Sequence, residues 1–308
     1  MTTSANDLSS LQRKIWDGSI PLEIRLASAE CRTFDQSDPY LIQFPRISYL
    51  PFLLPRLHAF FSPSLINPDV SPSDGWLSYE DVALKWHYPL GLLYDLYSGA
   101  EPAHQPGRTN QPGALPWKLV VHFTEWPDEQ LIRLDAEGKI LHDAFINSVK
   151  EADFLRNGSA KAIMSLKVEE SMALWQAVET HDLALFNSVN QKLLNPPGVP
   201  LRHIPIKIYL PSSSATASTT SDTTAIAPGH LKVVQSLATP KLPSRQPQTL
   251  GTALNAVLPT VFVSRRNAIL AQPVLHGAVV PLSANLEELG KAAAYADGFL
   301  HLAVVVMG

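Results

Sequence analysis

The same order of predicted elements occurs twice in the chain, once in each half. The first copy opens with the alternating strand IPLEIRLA, followed by YLIQF, and closes with PWKLVVHF. The second opens with IPIKIYL and closes with the β-branched run FLHLAVVVM, which is typical of a buried strand. Because 45% of the 308 residues are hydrophobic, each copy can fill a core of its own. The repeat therefore predicts two similar domains.

Both copies read as strand, strand, helix, strand, strand, short helix, strand. In the first, Pro51 and Pro55 limit the helix in SYLPFLLPRLHAFF, and WLSYE and LKWHY are predicted as short strands. In the second, TLGTALNAVL forms an amphipathic helix whose apolar stripe consists of Leu250, Leu254 and Leu258. A short helix started by proline precedes the last strand in each copy, in HYPLGLLYDL and VVPLSANLEEL. Both copies resemble the β-grasp, or ubiquitin-like, fold.

A helical region separates the two copies. One helix is predicted to begin at an Asp135 cap and to end at Asn157 and Gly158, and a second covers VEESMALWQAVETHDLALFNSVNQKLL. The sequence therefore predicts an α+β protein in which two ubiquitin-like domains flank a helix-rich domain. The predicted divisions are an N-terminal helix plus the first ubiquitin-like domain at 1–127, the helix-rich domain at 128–199 and the second ubiquitin-like domain at 200–308. Polar, low-complexity insertions at about 98–114 and 211–229 are predicted to be mobile loops.

Composition excludes several classes of function. A charged fraction of 17% and a net charge of −4 lack the basic footprint of a nucleic-acid-binding protein. The N-terminus has no apolar signal-peptide core and no segment is apolar enough to span a bilayer, so we expect an intracellular protein. Cys31, the single cysteine, is either a thioester carrier or an incidental thiol. We favour the second because its surroundings resemble a hairpin and not an activating helix N-terminus.

The motifs together resemble those of the autophagy-related protein 5 family. The resemblance covers nearly the whole chain apart from the two insertions, and it is carried by LKWHYPLGLLYDL, ALPWKLVVHF, SVKEAD, FPRISYL, RHIPIKIY and the C-terminal FLHLAVVV. It implies an isopeptide bond from one lysine to the ubiquitin-like autophagy-related protein 12, and noncovalent binding of the N-terminal helix of autophagy-related protein 16. It further implies work with the E2-like enzymes of the pathway.

The resemblance also implies that the conjugate promotes lipidation of autophagy-related protein 8 during autophagosome formation, in the manner of an E3 factor. The chain would be a non-catalytic acceptor and scaffold with no cofactor and no metal. It would be cytoplasmic, with peripheral contact at the preautophagosomal structure or phagophore membrane. The acceptor motif of the family is lysine, glutamate, alanine, aspartate, which occurs here only at Lys150.

Helical spacing gives an independent expectation for Lys150. Leu141, Phe145 and Ala152 define an inward stripe, and Lys150 lies away from it, so its amine is predicted to face solvent. An acceptor lysine must be reachable by a thioester that another protein carries.

The neighbours of Lys150 at helical spacing are Ile146, Asp153 and Phe154. Two apolar residues beside an exposed lysine suggest a docking surface around the acceptor. The alternative from spacing alone is an ordinary solvated lysine that pairs weakly with Asp153.

Trp86, His87 and Tyr88 form the most conspicuous aromatic cluster. Alternation along the predicted strand would send Trp86 and Tyr88 to one face, where they would brace the short helix after Pro89. The cluster could instead contribute to the groove for the partner helix, or His87 could be a general base in a cryptic enzyme. No serine elbow, metal-ligand spacing or phosphate-binding loop accompanies His87, which disfavours the enzyme.

Two other readings remain. One is an unmodified adaptor with tandem ubiquitin-like domains. The other treats Gly308 as the C-terminus of a ubiquitin-like modifier, which we disfavour because the preceding VVVM belongs to the last strand.

Overall fold

The computed structural model describes residues 5–33, 37–98, 115–193, 201–211 and 231–307. Nearly all of the two predicted insertions lies outside these residues, as does Gly308.

The first domain holds a five-stranded mixed sheet that packs against a helix of eight residues. Its elements are α1 (Ala5–Trp16), β1 (Ser19–Leu26), β2 (Tyr40–Pro45), α2 (Leu54–Phe61), β3 (Trp76–Tyr79), β4 (Val82–Ala83), α3 (Leu90–Tyr97) and β5 (Trp117–His122). The strand order is β2-β1-β5-β3-β4, with β1 and β5 parallel. Alternate residues of β1 are buried, among them Ile20, Leu22 and Ile24, and they share a core with Leu57 and Phe61 of α2. This confirms the predicted first strand.

The predicted strand over LKWHY is wrong. β4 ends at Ala83, and the hairpin closes where the N–H of Leu84 donates to the carbonyl of Leu77 at 2.9 Å. The chain then turns, with the N–H of Tyr88 bonded to the carbonyl of Lys85 at 3.0 Å, and α3 begins directly after Pro89. Trp86, His87 and Tyr88 therefore lie in a turn, to which strand alternation does not apply.

The helical region contains α4 (Lys139–Asn157), α5 (Lys161–Met164), α6 (Val168–Thr180) and α7 (Leu183–Leu193). Gly158 ends α4 in the left-handed conformation, at φ 75°, as predicted. The N-cap position of α4 is Gly138. Asp135 nevertheless satisfies the first turn, because its carboxylate accepts the N–H groups of Lys139 and Ile140 at 3.0 and 2.8 Å.

The second long helix predicted for this region is wrong, since it is broken into α6 and α7. His181 ends α6 in the left-handed conformation at φ 60°. Asp182 then caps α7, with its Oδ1 accepting the N–H groups of Ala184 and Leu185 at 2.9 and 3.0 Å. A short polar side chain that satisfies free N–H groups favours a new helix start over continuation.

The second domain repeats the topology of the first. Its elements are β6 (Ile204–Pro211), β7 (Leu231–Ala238), α8 (Leu250–Val257), β8 (Ala271–Leu275), β9 (Ala278–Val279), α9 (Leu286–Ala292) and β10 (Leu300–Val306). The strand order is β7-β6-β10-β8-β9, with β6 and β10 parallel. The expected proline start of α9 is wrong. Asn285 caps α9 by accepting the N–H of Glu287 at 2.9 Å, and Pro281 lies in the preceding turn. The fold is the predicted α+β arrangement of two mixed sheets around a helical region.

Candidate functional site

Lys150 lies on α4, in the helical region between the two sheets. Its side chain is half-buried, so it is less exposed than helical spacing predicts. Within the described parts of the chain, its Nζ atom has no hydrogen bond or ion pair. The amine therefore has no competing protein partner there.

Two of the three expected docking residues are structural. Ile146 is 8% exposed and belongs to the core of the helical region. Asp153 is 2% exposed, and its carboxylate accepts the N–H of Ile163 at 2.9 Å and the amide of Asn157 at 2.7 Å. These contacts occupy the Asp153 carboxylate in place of the weak pair with Lys150 that spacing alone suggested. Helical spacing missed this because α5 folds back over that side of α4. Phe154 is 56% exposed, and its role in docking stays a prediction.

The residue after the lysine makes an ion pair with the second domain. Glu151 Oε2 lies 2.9 Å from Nζ of Lys207 on β6. The same ammonium lies 3.9 Å from the centre of the Phe299 ring, within the range of a cation–π interaction. The chain therefore joins α4 to the second sheet directly beside Lys150.

Two further contacts anchor α4 to the chain segment before β10. Ser148 Oγ donates to Asp297 Oδ2 at 2.7 Å, and Arg156 Nη2 donates to the carbonyl of Gly298 at 3.1 Å. Burial lowers the pKa of Arg156 to about 10, against the opposing charge of Asp153, so the guanidinium remains charged at neutral pH. These contacts hold the helix on both sides of Lys150.

Asp297 is the centre of a buried polar network. Its Oδ2 lies 2.9 Å from His301 Nε2, and His301 Nδ1 lies 2.8 Å from the hydroxyl of Tyr209. Burial alone would raise the pKa of Asp297. The nearby His301 and the hydrogen bonds from Ser148 and Phe299 hold that pKa below its usual value. An ionised carboxylate at this point favours the ordered position of α4.

Trp86, His87 and Tyr88 each have a different environment. Trp86 is buried in the helical core, and its Nε1 donates to the carbonyl of Ile132 at 2.8 Å. Tyr88 is half-buried, with its ring 5.4 Å from that of Tyr209 in the second domain. The side chain of His87 is exposed as a whole. Desolvation of its ring by neighbouring protein atoms nevertheless lowers its pKa to about 4, and the charges of Lys85 and Lys207 act in the same direction. The turn therefore links the first domain to the helical region through Trp86 and to the second domain through Tyr88, whereas the expected role was a brace on α3 alone.

Two exposed apolar residues near this turn were not identified from the sequence. Val233 and Leu237 of β7 are 42% and 46% exposed. Val233 pairs with Tyr209 in the sheet, so its side chain lies on the face that Tyr88 contacts. Leu237, four residues further along β7, lies on the same face. The alternation in LKVVQSLA was available as a signal. Its exposed face could not be assigned without knowing where the turn at Tyr88 lies.

Cys31 is half-buried, follows a 3-10 turn and packs against the core of the first domain. It is therefore poorly placed to carry a thioester. No described group of three or more His, Cys, Asp or Glu residues has the arrangement of a metal site. None of the described helices combines the length and apolar character needed to cross a bilayer.

Family models match the three structural regions in order. They are the UblA domain of autophagy protein ATG5 at residues 15–123, its alpha-helical bundle region at 138–196 and its UblB domain at 203–304. The crystal structure of Kluyveromyces marxianus Atg5 superposes with a TM-score of 0.69, covering 96% of this chain and 100% of that one. At 21% identity, this likeness shows the fold alone.

Sequence relatives are much more similar. Autophagy protein 5 of Phaeosphaeria nodorum is 56% identical over 97% of this chain and 98% of its own length. Autophagy protein 5 of Aspergillus fumigatus is 53% identical over 98% of this chain and 96% of its own length. With all three domain models matched in order, the chain belongs to the autophagy protein 5 family and has a role in autophagy.

Proposed function

We propose that this protein is the acceptor of a ubiquitin-like modifier, autophagy-related protein 12, at Lys150. The observation that carries the proposal is that the lysine of the Lys-Glu-Ala-Asp motif has an amine without a described partner, on a helix anchored at Ser148 and Arg156. Such a helix presents the amine in one orientation, which favours reaction with a thioester on another protein.

The chemistry needs little from the acceptor beyond this presentation. Nζ of Lys150 attacks the thioester carbonyl at the C-terminus of the modifier, the new C–N bond replaces the C–S bond, and the thiolate leaves on the E2-like enzyme. The ammonium proton passes to solvent. The chain supplies the nucleophile and the binding surfaces, and the enzymes of the pathway supply the activated modifier.

The test is conjugation in a reconstituted reaction with the activating and E2-like enzymes of the pathway. Lys150→Arg should reduce the conjugate to a trace at most. The matched control is Lys139→Arg, because Lys139 lies on the same helix, is exposed and pairs with Glu137. Conjugate formed by Lys150→Arg at the wild-type yield would overturn the assignment.

We further propose that the N-terminal helix of autophagy-related protein 16 docks beside the turn at His87 and Tyr88. The exposed apolar surface there, which we call the β7 face, consists of Val233 and Leu237 next to the Tyr88–Tyr209 contact. An amphipathic helix buries apolar residues of this kind in a groove.

The variant Val233→Asp/Leu237→Asp should weaken helix binding and leave conjugation at Lys150 intact. Val263→Asp is the control, since Val263 is 50% exposed in the loop after α8 and does not belong to β7. Equal binding by both variants would place the helix elsewhere. A cleft of about 450 Å³ lined by Phe52, Leu134 and Trp175 would then be the next candidate.

Contact with the phagophore membrane is proposed to be peripheral and to use the second domain. Residues 231–286 contain no Asp or Glu. The lysine and arginine residues of this segment are all exposed, namely Lys232, Lys241, Arg245, Arg265 and Arg266. Ile269 and Leu270, close to Arg265 and Arg266 in the chain, are 57% and 46% exposed. A basic surface with exposed aliphatic residues suits an anionic bilayer. Arg265→Glu/Arg266→Glu should reduce sedimentation with phosphatidylserine vesicles, and unchanged sedimentation would exclude this surface.

With autophagy-related proteins 12 and 16 bound, the assembly is proposed to promote lipidation of autophagy-related protein 8 at the phagophore. The competing function is an adaptor that is never modified. Intact-mass analysis of the chain from cells decides between them, because a conjugate adds the mass of a whole small domain.

A further inference from the structure

A second lysine lies close to the proposed acceptor. Lys207 on β6 reaches α4 and pairs with Glu151, the residue that follows Lys150. An E2-like enzyme that brings a thioester to Lys150 therefore brings it near two amines. The structure must distinguish them by environment, since the chemistry of the two side chains is the same.

The environments differ in the partners of the two ammonium groups. Lys207 Nζ lies 2.9 Å from Glu151 Oε2 and 3.9 Å from the centre of the Phe299 ring, and the side chain is 16% exposed. The ion pair and the aromatic face occupy two sides of the group. For Lys150 the described structure holds no such partner.

The backbone also restrains Lys207. β6 is an interior strand that pairs with β7 on one side and β10 on the other, and residue 207 is opposite Gln235 and His301 in these ladders. The Lys207 amine can therefore reach a thioester only by rotation of its own side chain away from Glu151.

We propose that Glu151 favours conjugation at Lys150 over Lys207, by holding the amine of Lys207 away from an incoming thioester. This inference rests on the proposed acceptor function. The glutamate of the Lys-Glu-Ala-Asp motif then acts through Lys207 and does not touch the reacting atoms. Without the Lys207–Glu151 ion pair, Lys207 would undergo the same reaction. A new bond between its Nζ and the carbonyl carbon of the modifier replaces the thioester C–S bond, the thiolate leaves on the E2-like enzyme and a proton passes to solvent.

The test uses recovery of conjugation when Lys150 is absent. Lys150→Arg should give little or no conjugate, whereas Lys150→Arg/Glu151→Ala should give a conjugate that peptide mapping locates at Lys207. Because a partly exposed ion pair biases side-chain positions only modestly, we expect the Lys207-linked conjugate to be about two- to fivefold more abundant in the double variant than the trace of it formed by Lys150→Arg. Adding Lys207→Arg should remove the recovered product.

Glu151→Ala alone should still be conjugated at Lys150, which shows that the chain is folded and recognised. If alanine prevents folding, Glu151→Gln keeps the size of the side chain and removes its charge. Lack of Lys207-linked product from a folded double variant would overturn the proposal. Full conjugation of Lys150→Arg at some other lysine would instead overturn the proposed acceptor function.

Discussion

The carboxylate of Asp95 on α3 joins the two ubiquitin-like domains through Gly277, whose backbone N–H donates to Asp95 Oδ2 at 2.8 Å. The other oxygen, Oδ1, pairs with the guanidinium of Arg46, and Arg46 also donates to the carbonyl of Gly91. Asp95 is 3% exposed, so this interdomain link is shielded from water.

Asp95→Ala should destabilise the protein by about 3–5 kcal/mol, because it leaves the largely buried charge of Arg46 without its carboxylate partner. Urea denaturation of the unconjugated chain measures this. Asp128→Ala is the matched control, since the Asp128–Arg133 pair has side chains that are 65% and 60% exposed. The control should change the free energy of unfolding far less, because an exposed ion pair stabilises a fold very little. Equal effects of the two variants would contradict the role of Asp95.

Gly251→Ala should destabilise the second domain although alanine favours helices. An added Cβ would lie 2.2 Å from the carbonyl oxygen of Arg265 and 2.8 Å from Cβ of Leu282, so the backbone would have to shift. We expect a cost of about 1–3 kcal/mol by denaturation. Gly290→Ala is the milder comparison, because its nearest contact is the side chain of Ile204 at 3.2 Å. A smaller loss for Gly251→Ala than for Gly290→Ala would contradict the close approach.

His276 should make the protein sensitive to mild acid. Burial of the ring, which stacks on Tyr295, lowers its pKa to about 3, and Arg46 and His301 act in the same direction against the hydrogen bond to Ala293. Below its ordinary pKa of about 6.5, the unfolded chain takes up a proton that the folded chain does not. Stability should therefore fall between about pH 6.5 and 3, by at most about 1.4 kcal/mol per unit from this group.

Replacement of the ring isolates this contribution. His276→Asn has no titrating group and suits the backbone, since residue 276 has a φ of 52° and asparagine tolerates that region. The slope of unfolding free energy against pH should be shallower in the variant between pH 6.5 and 4. Parallel curves for the two proteins would exclude His276 as a source of acid sensitivity.

Asp153→Ala should weaken the fold, because Asp153 accepts the N–H of Ile163 in its buried site. Loss of that acceptor should cost about 1–3 kcal/mol, as for other buried donors left unsatisfied. Asp143→Ala is the control on the exposed side of α4. Modifier docking that falls in Asp153→Ala without any change in stability would instead support the original expectation of a docking residue.

Local patterns predicted the elements that depend on local physics. Alternation identified β1, β-branched residues identified β10, and Gly158 marked the end of α4. The break between α6 and α7 also had a signal, because Asp182 is a good helix cap, but the apolar spacing continued across it.

Contacts distant in sequence could not be predicted in this way. Helical spacing gives the direction of Ile146 and Asp153 around α4, but it does not say that the core of the helical region buries Ile146 or that α5 contacts Asp153. The Ser148–Asp297 hydrogen bond joins residues 149 positions apart, and no local pattern marks the two residues as partners. The surroundings of Lys150 therefore depend on how three separate regions pack.

The turn at residues 86–88 also limits how far this protein can be divided. Trp86 belongs to the helical core and Leu92, a few residues later, to the core of the second domain, where it is 0% exposed. Excision of the first domain would expose both side chains to water. The three regions should thus melt in one cooperative transition. A chimera that takes one region from a distant relative would need compensating changes where Trp86 and Leu92 pack.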